Sequence, residues 1–358
     1  MVATDRIVLG AIPIAIRNGK GSADALYLED NMPDPVPSGD QILVCIRAFG
    51  LNRLDTMQRE DRDPYTSLDK GSILGVEFST ERFSVEDAVL GLVPGGAVWT
   101  ILQHMFLMTL TGLLRIKYAE KVAVSEKILM PKPPSVSFEA AAGIPEAGGH
   151  TYLTAFQALS LVGGIETGQK VLVHLGSSGI GQAAIQTAKL LGASKVYVTA
   201  NSTEKCQRCV SLGADMAIND RDPTKDFAAV IHEDTNGYGV DLIIDLVGQR
   251  YWHQNVTAAA LDAKIVIVAM MSGGEVERFD LRAFLKKRMQ LLCTTLRLRD
   301  LEYKAQLRDQ FVEKVLPYFE SGDVKVLVDQ VLSWNQVDEG HRRMESNVSA
   351  GKIICVVD

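Results

Sequence analysis

The residues with the clearest chemistry are a run of glycines and serines, Gly176-Ser177-Ser178-Gly179-Ile180-Gly181. It follows the apolar triplet Val171-Leu172-Val173 and precedes small residues at helical spacing, Ala183, Ala184 and Ala188. A strand that turns through glycines into a helix N-terminus forms an anion site, because unpaired N–H groups and the helix dipole converge there. Glycine lets the backbone approach a pyrophosphate, and alanine lets the helix lie close to the sheet. The spacing G-x-x-G-x-G-x-x-A departs from the common G-x-G-x-x-G. Its context, with a strand before, a helix after and a second strand over 195–200, is that of a βαβ dinucleotide unit. The expectation is a diphosphate over Ser178, Gly179, Ile180 and Gly181, with Ser177 in the same turn. A purely structural glycine turn is the competing reading.

Cofactor choice follows from the end of the second strand. An NAD site places Asp or Glu there to take the ribose hydroxyls. This chain has Ala200-Asn201-Ser202-Thr203 instead, with Lys205 close behind. Asn201, Ser202 and Lys205 can hydrogen-bond or charge-pair with a 2′-phosphate that an acid would repel, so NADPH is expected. A solvated helix lysine is the alternative for Lys205.

The elements that must position these residues fit a chain of 358 residues, long enough for two domains. A net charge of −7 with no basic block argues against nucleic acid as a partner. Five irregularly spaced cysteines form no disulfide framework and suit a reducing, cytoplasmic setting. Cys206 and Cys209 make a lone C-x-x-C within a helix, which is not a zinc site. Residues 7–16 are apolar between Arg6 and Arg17 but lack a cleavage site, so they read as a first strand or arm. Residues 98–116 are nearly long enough to cross a bilayer. They carry Gln103, His104 and Arg115 without flanking asymmetry, so no membrane span is expected.

The first third is rich in Gly and Pro with short β-like runs at 41–49 and 121–124. From about residue 153 apolar strands at 171–175, 195–199, 216–218, 240–246 and 264–269 alternate with helical stretches. This alternation predicts α/β architecture, a doubly wound parallel sheet. The chain then reads as helical over 302–319 and β-like over 324–332 and 352–357. The expected organisation is a mainly β domain from 1–152, a dinucleotide-binding domain over 153–293 and a return to the first domain over 294–358. Strand 264–269 is expected to end the parallel sheet, leaving an edge for a two-fold partner and hence a homodimer.

The strings over 50–59 (GLNRLDTMQR), Ile73-Leu74-Gly75-Val76-Glu77, Gly91-Leu92-Val93-Pro94-Gly95-Gly96, 141–146 (AAGIPE), 153–159 (LTAFQAL), the glycine turn, Asp245-Leu246-Val247-Gly248 and Gly351-Lys352-Ile353 follow one another along almost the whole chain. In this order they resemble the medium-chain dehydrogenase/reductase superfamily, and within it the zinc-free NADPH:quinone oxidoreductases of the tumour-suppressor-inducible type. The resemblance implies a Rossmann domain inserted in a GroES-like catalytic domain. The zinc-dependent branch needs a thiolate where this chain has Asn52 and an imidazole where it has Val76, and neither replacement supplies that donor. It thus implies hydride transfer from NADPH, without metal, to an electron-poor acceptor: a quinone or an α,β-unsaturated carbonyl. By the same resemblance, Asn52 lies beside the nicotinamide and Tyr65 lines the acceptor pocket. Thr154 sits near the nicotinamide ribose or phosphate, and Gly248, Met270, Met271 and Ser272 sit at strand ends along the dinucleotide. Thr295, Leu296, Arg297 and Lys352 approach the nicotinamide end.

Three departures fall in the β region. Thr80 runs straight into Glu81-Arg82-Phe83, omitting most of a family strand; residues 98–117 are an apolar insertion; residues 148–151 are a smaller one. These sharp edges resemble misassigned exon boundaries or retained intron sequence. An opened β domain, with unpaired edges and exposed apolar surface, is the expected consequence. The alternatives are a trans-acting enoyl reductase of polyketide biosynthesis and a catalytically impaired NADPH-binding protein.

Overall fold

The computed structural model describes residues 14–29, 34–62, 74, 77–82, 88–92, 118–145 and 152–357. Tyr65, Val76 and the 98–117 and 148–151 insertions lie outside the described residues.

In the first part of the chain, β1 (Ile14–Ile16) and β2 (Leu26–Leu28) pair as a small antiparallel ribbon. The long β3 (Gln41–Leu51) leads into α1 (Arg53–Arg59), followed by β4 (Glu77–Arg82), β5 (Ala88–Leu92), β6 (Lys121–Ser125) and β7 (Leu129–Pro131). Two short helices, α2 (Phe138–Ala141) and α3 (Tyr152–Phe156), then lead to β8 (Lys170–Val173) and the 12-residue α4 (Gly179–Leu190). The α/β alternation continues through β9 (Lys195–Ala200), α5 (Thr203–Ser211), β10 (Met216–Asn219), α6 (Phe227–Asp234), β11 (Val240–Asp245), α7 (Trp252–Ala258), β12 (Ala259–Ile267), α8 (Leu281–Lys287) and β13 (Gln290–Cys293). Helices α9 (Leu301–Lys314) and α10 (Pro317–Ser321) precede β14 (Val328–Ser333), α11 (Val337–Glu345) and β15 (Lys352–Val356).

Strands β8–β13 form an all-parallel sheet in the order β10-β9-β8-β11-β12-β13. Numbered within the sheet, this is 3-2-1-4-5-6, the doubly wound order whose ligand crevice lies at the carboxyl ends of its first and fourth strands. The apolar runs are continuous because both faces are covered. Val171, Val173, Val196, Val198 and Ile244 pack on one face with α3, α4 and α9, while Leu172, Tyr197, Ile243 and Ile265 pack on the other with α6.

The second sheet runs β14-β15-β3-β4-β5-β7, with β6 also paired to β3. Strands from both ends of the chain therefore build one mixed sheet around the inserted parallel one, as expected for the α/β fold class. Two expectations need correcting. Strand β12 does not end the parallel sheet: β13 pairs outside it and is the edge. The sequence reading missed β13 because it is four residues long and largely exposed, without an alternating pattern. The shortened region around Thr80 does not leave β3 open there either, because β4 pairs with β3 on one side and β5 on the other.

Candidate functional site

The glycine turn follows β8 at the crevice of the parallel sheet. Leu175 takes a left-handed conformation (φ +52°), and Gly176 N donates to Thr199 O at 2.8 Å, tying the turn to β9. Ser178 caps α4, its hydroxyl accepting from Gly181 N at 3.1 Å. Gly181 has no room for a side chain, since a Cβ would lie 2.2 Å from Leu175 O. The amides of Gly179 and Ile180 precede the first intrahelical acceptor, so the helix presents donors and its dipole to an anion.

Opposite this turn the β domain contributes Asn52, the N-cap of α1, and Lys352 at the start of β15. Lys352 Nζ donates to Asn52 Oδ1 at 2.5 Å, and both side chains are buried. Together with Leu51, Arg53, Met344, Ser349 and Gly351, they face Ser177, Ser178 and Gly179 across a solvent-open cleft. Arg53 Nη2 donates to Met344 O at 2.6 Å and to Asn347 Oδ1 at 2.7 Å, which aligns its guanidinium along the cleft wall. Burial lowers its pKa below the ordinary arginine value, against the opposing pull of Glu345.

The other sequence-derived positions spread along the carboxyl edge of the same sheet. Asn201 is exposed after β9, and Ser202 caps α5 by accepting from Lys205 N at 3.2 Å. Lys205 Nζ reaches Asn347 O at 3.3 Å, so α5 touches the 346–351 loop that follows α11 and walls the cleft. Gly248 follows β11 with φ +79°, where a Cβ would meet Gly273 O at 2.7 Å. Met270 and Met271 are exposed after β12, and Ser272 Oγ donates to Val247 O at 2.7 Å. After β13, Thr295 is exposed, Leu296 buried and Arg297 half-buried. Thr154 is buried on α3. Only Asn52, Lys352, Ser177, Ser178 and Gly179 of these positions line the cleft itself.

Sequence reasoning missed several residues. Arg53 was within the quoted Asn-Arg pair, and its charge beside a phosphate-binding turn was an available signal. Lys304 had none: it is buried on α9, donates to Arg297 O at 3.3 Å, and burial pushes its pKa down to about 8. Two buried polar networks were also illegible. Beneath the sheet edge, Thr199 Oγ1 bonds His174 Nδ1 at 2.9 Å, and His174 Nε2 bonds Asn255 Oδ1 at 2.6 Å. Asn255 Nδ2 donates to Asp245 Oδ2 at 3.0 Å, while Asp245 Oδ1 accepts from the Val247 and Gly248 amides. The network ties the ends of β8, β9 and β11 together, and burial lowers the His174 pKa despite nearby Asp245. In the β domain, Asp55 Oδ2 accepts from Asn52 N and Tyr118 Oη, both at 2.8 Å. Tyr118 in turn meets His341 Nε2 at 3.3 Å, and Arg59 Nη1 lies 2.9 Å from His341 Nδ1. Burial first, and Arg59 second, push the His341 pKa down to about 3.

Among the described residues, no three His, Cys, Asp or Glu side chains converge as a metal site, and no helix is long and apolar enough to cross a membrane. All five cysteines are unpaired.

Residues 179–312 match the family model described as zinc-binding dehydrogenase, a span that includes α4 and the sheet edge but not Asn52. The chain is 30% identical over 338 residues to the NADPH-dependent alkenal/one oxidoreductase, chloroplastic, of Arabidopsis thaliana, covering 93% of this chain and 76% of that protein. The chain belongs to the zinc-free quinone oxidoreductase family of the medium-chain dehydrogenases/reductases. A second member-like relative is the 2-methylene-furan-3-one reductase of Solanum lycopersicum, 29% identical with the same 93% and 76% coverage. Among solved structures, the quinone oxidoreductase of Pseudomonas syringae pv. Tomato superposes with a TM-score of 0.76 at 25% identity, covering 97% of this chain and 99% of that one.

Proposed function

We propose that this protein is an NADPH-dependent, zinc-independent oxidoreductase that reduces quinones or α,β-unsaturated carbonyls by hydride transfer. The observation that carries the reading is the Lys352–Asn52 pair facing the Ser177–Ser178–Gly179 turn across one cleft. An anion-binding helix terminus on one wall and a hydrogen-bonded amide and ammonium on the other suit a dinucleotide whose reactive ring must be held still. Gly181, which no larger residue can replace without a clash, keeps the turn low enough for that approach.

The cofactor, when bound, supplies the hydride. The chain supplies position and charge. Ser178, Gly179 and Ile180 present helix-terminal donors to the diphosphate, with Arg53 as its cationic partner from the opposite wall. Asn201, Ser202 and Lys205 receive the 2′-phosphate. Gly248, Met270, Met271, Ser272, Thr295, Leu296 and Arg297 follow the nucleotide along the strand ends, with Thr154 near the ribose and phosphate. Asn52 orients the nicotinamide and acceptor. Because Asn52 occupies the position of the zinc branch's thiolate, no Lewis acid assists the carbonyl. The reaction is therefore restricted to acceptors already electron-poor.

The protein is further proposed to act as a cytoplasmic homodimer. Among the described residues, edge strand β13 pairs on one side only, and Leu291 on it, with Leu281 and Leu285 on α8, is exposed. Calorimetric titration tests the binding half of this reading. NADPH binds, and Gly179→Val abolishes binding by placing a branched side chain against the diphosphate. Unchanged affinity in that variant removes the turn from the site.

A further inference from the structure

The polar chain behind Asn52 has a fixed direction. Arg59 is anchored from three sides: Nε donates to Gly21 O at 2.9 Å, and Nη2 meets Glu60 at 3.0 Å and Glu345. A guanidinium only donates, so His341 Nδ1, 2.9 Å from Arg59 Nη1, must be the accepting nitrogen. The imidazole proton then sits on Nε2 and points to Tyr118 Oη. Tyr118 uses its own proton on Asp55 Oδ2, which also accepts from Asn52 N. Asn52 Oδ1, finally, accepts from Lys352 Nζ. Arg59, Asp55, Tyr118 and His341 are all fully buried. The assignment at Arg59 fixes the directions at His341 and Tyr118, while the Asn52 amide and the Lys352 ammonium can only donate.

We propose that Tyr118 and His341 are positioning residues, which act through Asp55 and Asn52 to hold the Lys352 ammonium at the cleft in the place where it contacts the dinucleotide. This inference rests on the NADPH-binding reading above. The physical reason is the geometry of the Asn52 turn. Asp55 bonds the Asn52 amide as part of a reciprocal cap on α1, and that cap sets the φ/ψ from which the Asn52 side chain projects. The Tyr118 hydroxyl adds a second anchor to the carboxylate oxygen that the Asn52 amide already holds. Tyr118 is kept in turn by stacking on Phe49, with ring centroids 4.6 Å apart, and by its edge contact with His341. Hydrogen bonds in a buried chain of this kind polarise one another and order the side chains that make them.

The test is a mutant cycle read by NADPH affinity in calorimetry, with thermal unfolding recorded alongside. Tyr118→Phe keeps the ring and deletes the one hydroxyl that joins His341 to Asp55. It is expected to weaken NADPH binding about fivefold, and Lys352→Met about tenfold. In the double variant the Tyr118 effect disappears: its affinity matches that of Lys352→Met alone within about twofold. A merely structural tyrosine lowers affinity by the same factor in both backgrounds, or leaves it unchanged in both, and either result overturns the proposal. If Tyr118→Phe does not fold, His341→Leu interrupts the same chain one link further out and is read by the same criterion. If the unaltered protein fails to bind NADPH, the functional reading itself falls; binding without Tyr118–Lys352 coupling sinks only the positioning role.

Discussion

Lys352 Nζ and Asn52 Oδ1 lie 2.5 Å apart although 300 positions separate them in the chain. The contact exists because β15, near the C-terminus, pairs antiparallel with β3, placing Ile353 opposite Leu51. The strand pairing that closes the β domain therefore also assembles the cleft wall.

Replacing Asn52 with Ala removes the amide acceptor from a buried ammonium and the side chain from the cap of α1. Stability is expected to fall by about 1–3 kcal/mol, measured by denaturant unfolding. NADPH-dependent turnover is expected to fall at least about tenfold, because the reacting ring loses its positioning contact. Wild-type turnover in this variant would remove Asn52 from the site.

Nucleotide preference is expected to reside at the end of β9. Asn201→Asp places a carboxylate where the 2′-phosphate is received. It should weaken NADPH by at least about tenfold, equivalent to about 1.4 kcal/mol, while leaving NADH binding unchanged or tighter. Titration of both nucleotides decides this, and an equal loss for both would mean that Asn201 does not read the phosphate.

Acid sensitivity follows from the buried histidines. His341, ordinarily near 6.5, is held down to about 3, and His174 is shifted in the same direction. The unfolded chain therefore binds more protons than the folded one below about pH 6.5. Stability is complete above that value and declines as pH falls towards 3, by at most about 1.4 kcal/mol per pH unit for each histidine. Denaturant unfolding between pH 7.5 and 4.5 should show this decline, and His341→Gln should flatten it. A wild-type profile level across that range would contradict the buried neutral histidines.

Leu285→Asp tests the dimer. It adds a charge to the exposed apolar face of α8 beside edge strand β13 and should give a monomer in sedimentation at micromolar protein, with the wild type dimeric. A monomeric wild type would end the proposal.

Much of the fold was legible because its signals are local. The glycine turn, the helix alanines and the alternation after residue 153 each depend on neighbours within a few residues. Strand β12 begins at Ala259 rather than 264, because Leu261 and Asp262 are exposed in an irregular extension that carries no apolar pattern. The cleft was half legible. Asn52, Lys352 and the Ser177–Gly179 turn were readable from their motifs, whereas Met344 near the end of α11 and Ser349 in the loop after it are brought near only by the sheet pairing. The Arg59–His341–Tyr118–Asp55 chain could not be read at all. Its links span 282, 223 and 63 positions, and in sequence each residue is an ordinary polar side chain.

NADPH-dependent reduction without a metal is open to a single assay. NADPH oxidation is followed with a simple quinone and with an enone, in buffer freed of metal and containing a strong chelator. The expected result is turnover above the enzyme-free blank at the same rate with and without chelator. Loss of turnover on chelation with recovery on adding zinc would contradict the reading of Asn52, and NADPH binding with no turnover of either acceptor would leave a nucleotide-binding protein rather than a reductase.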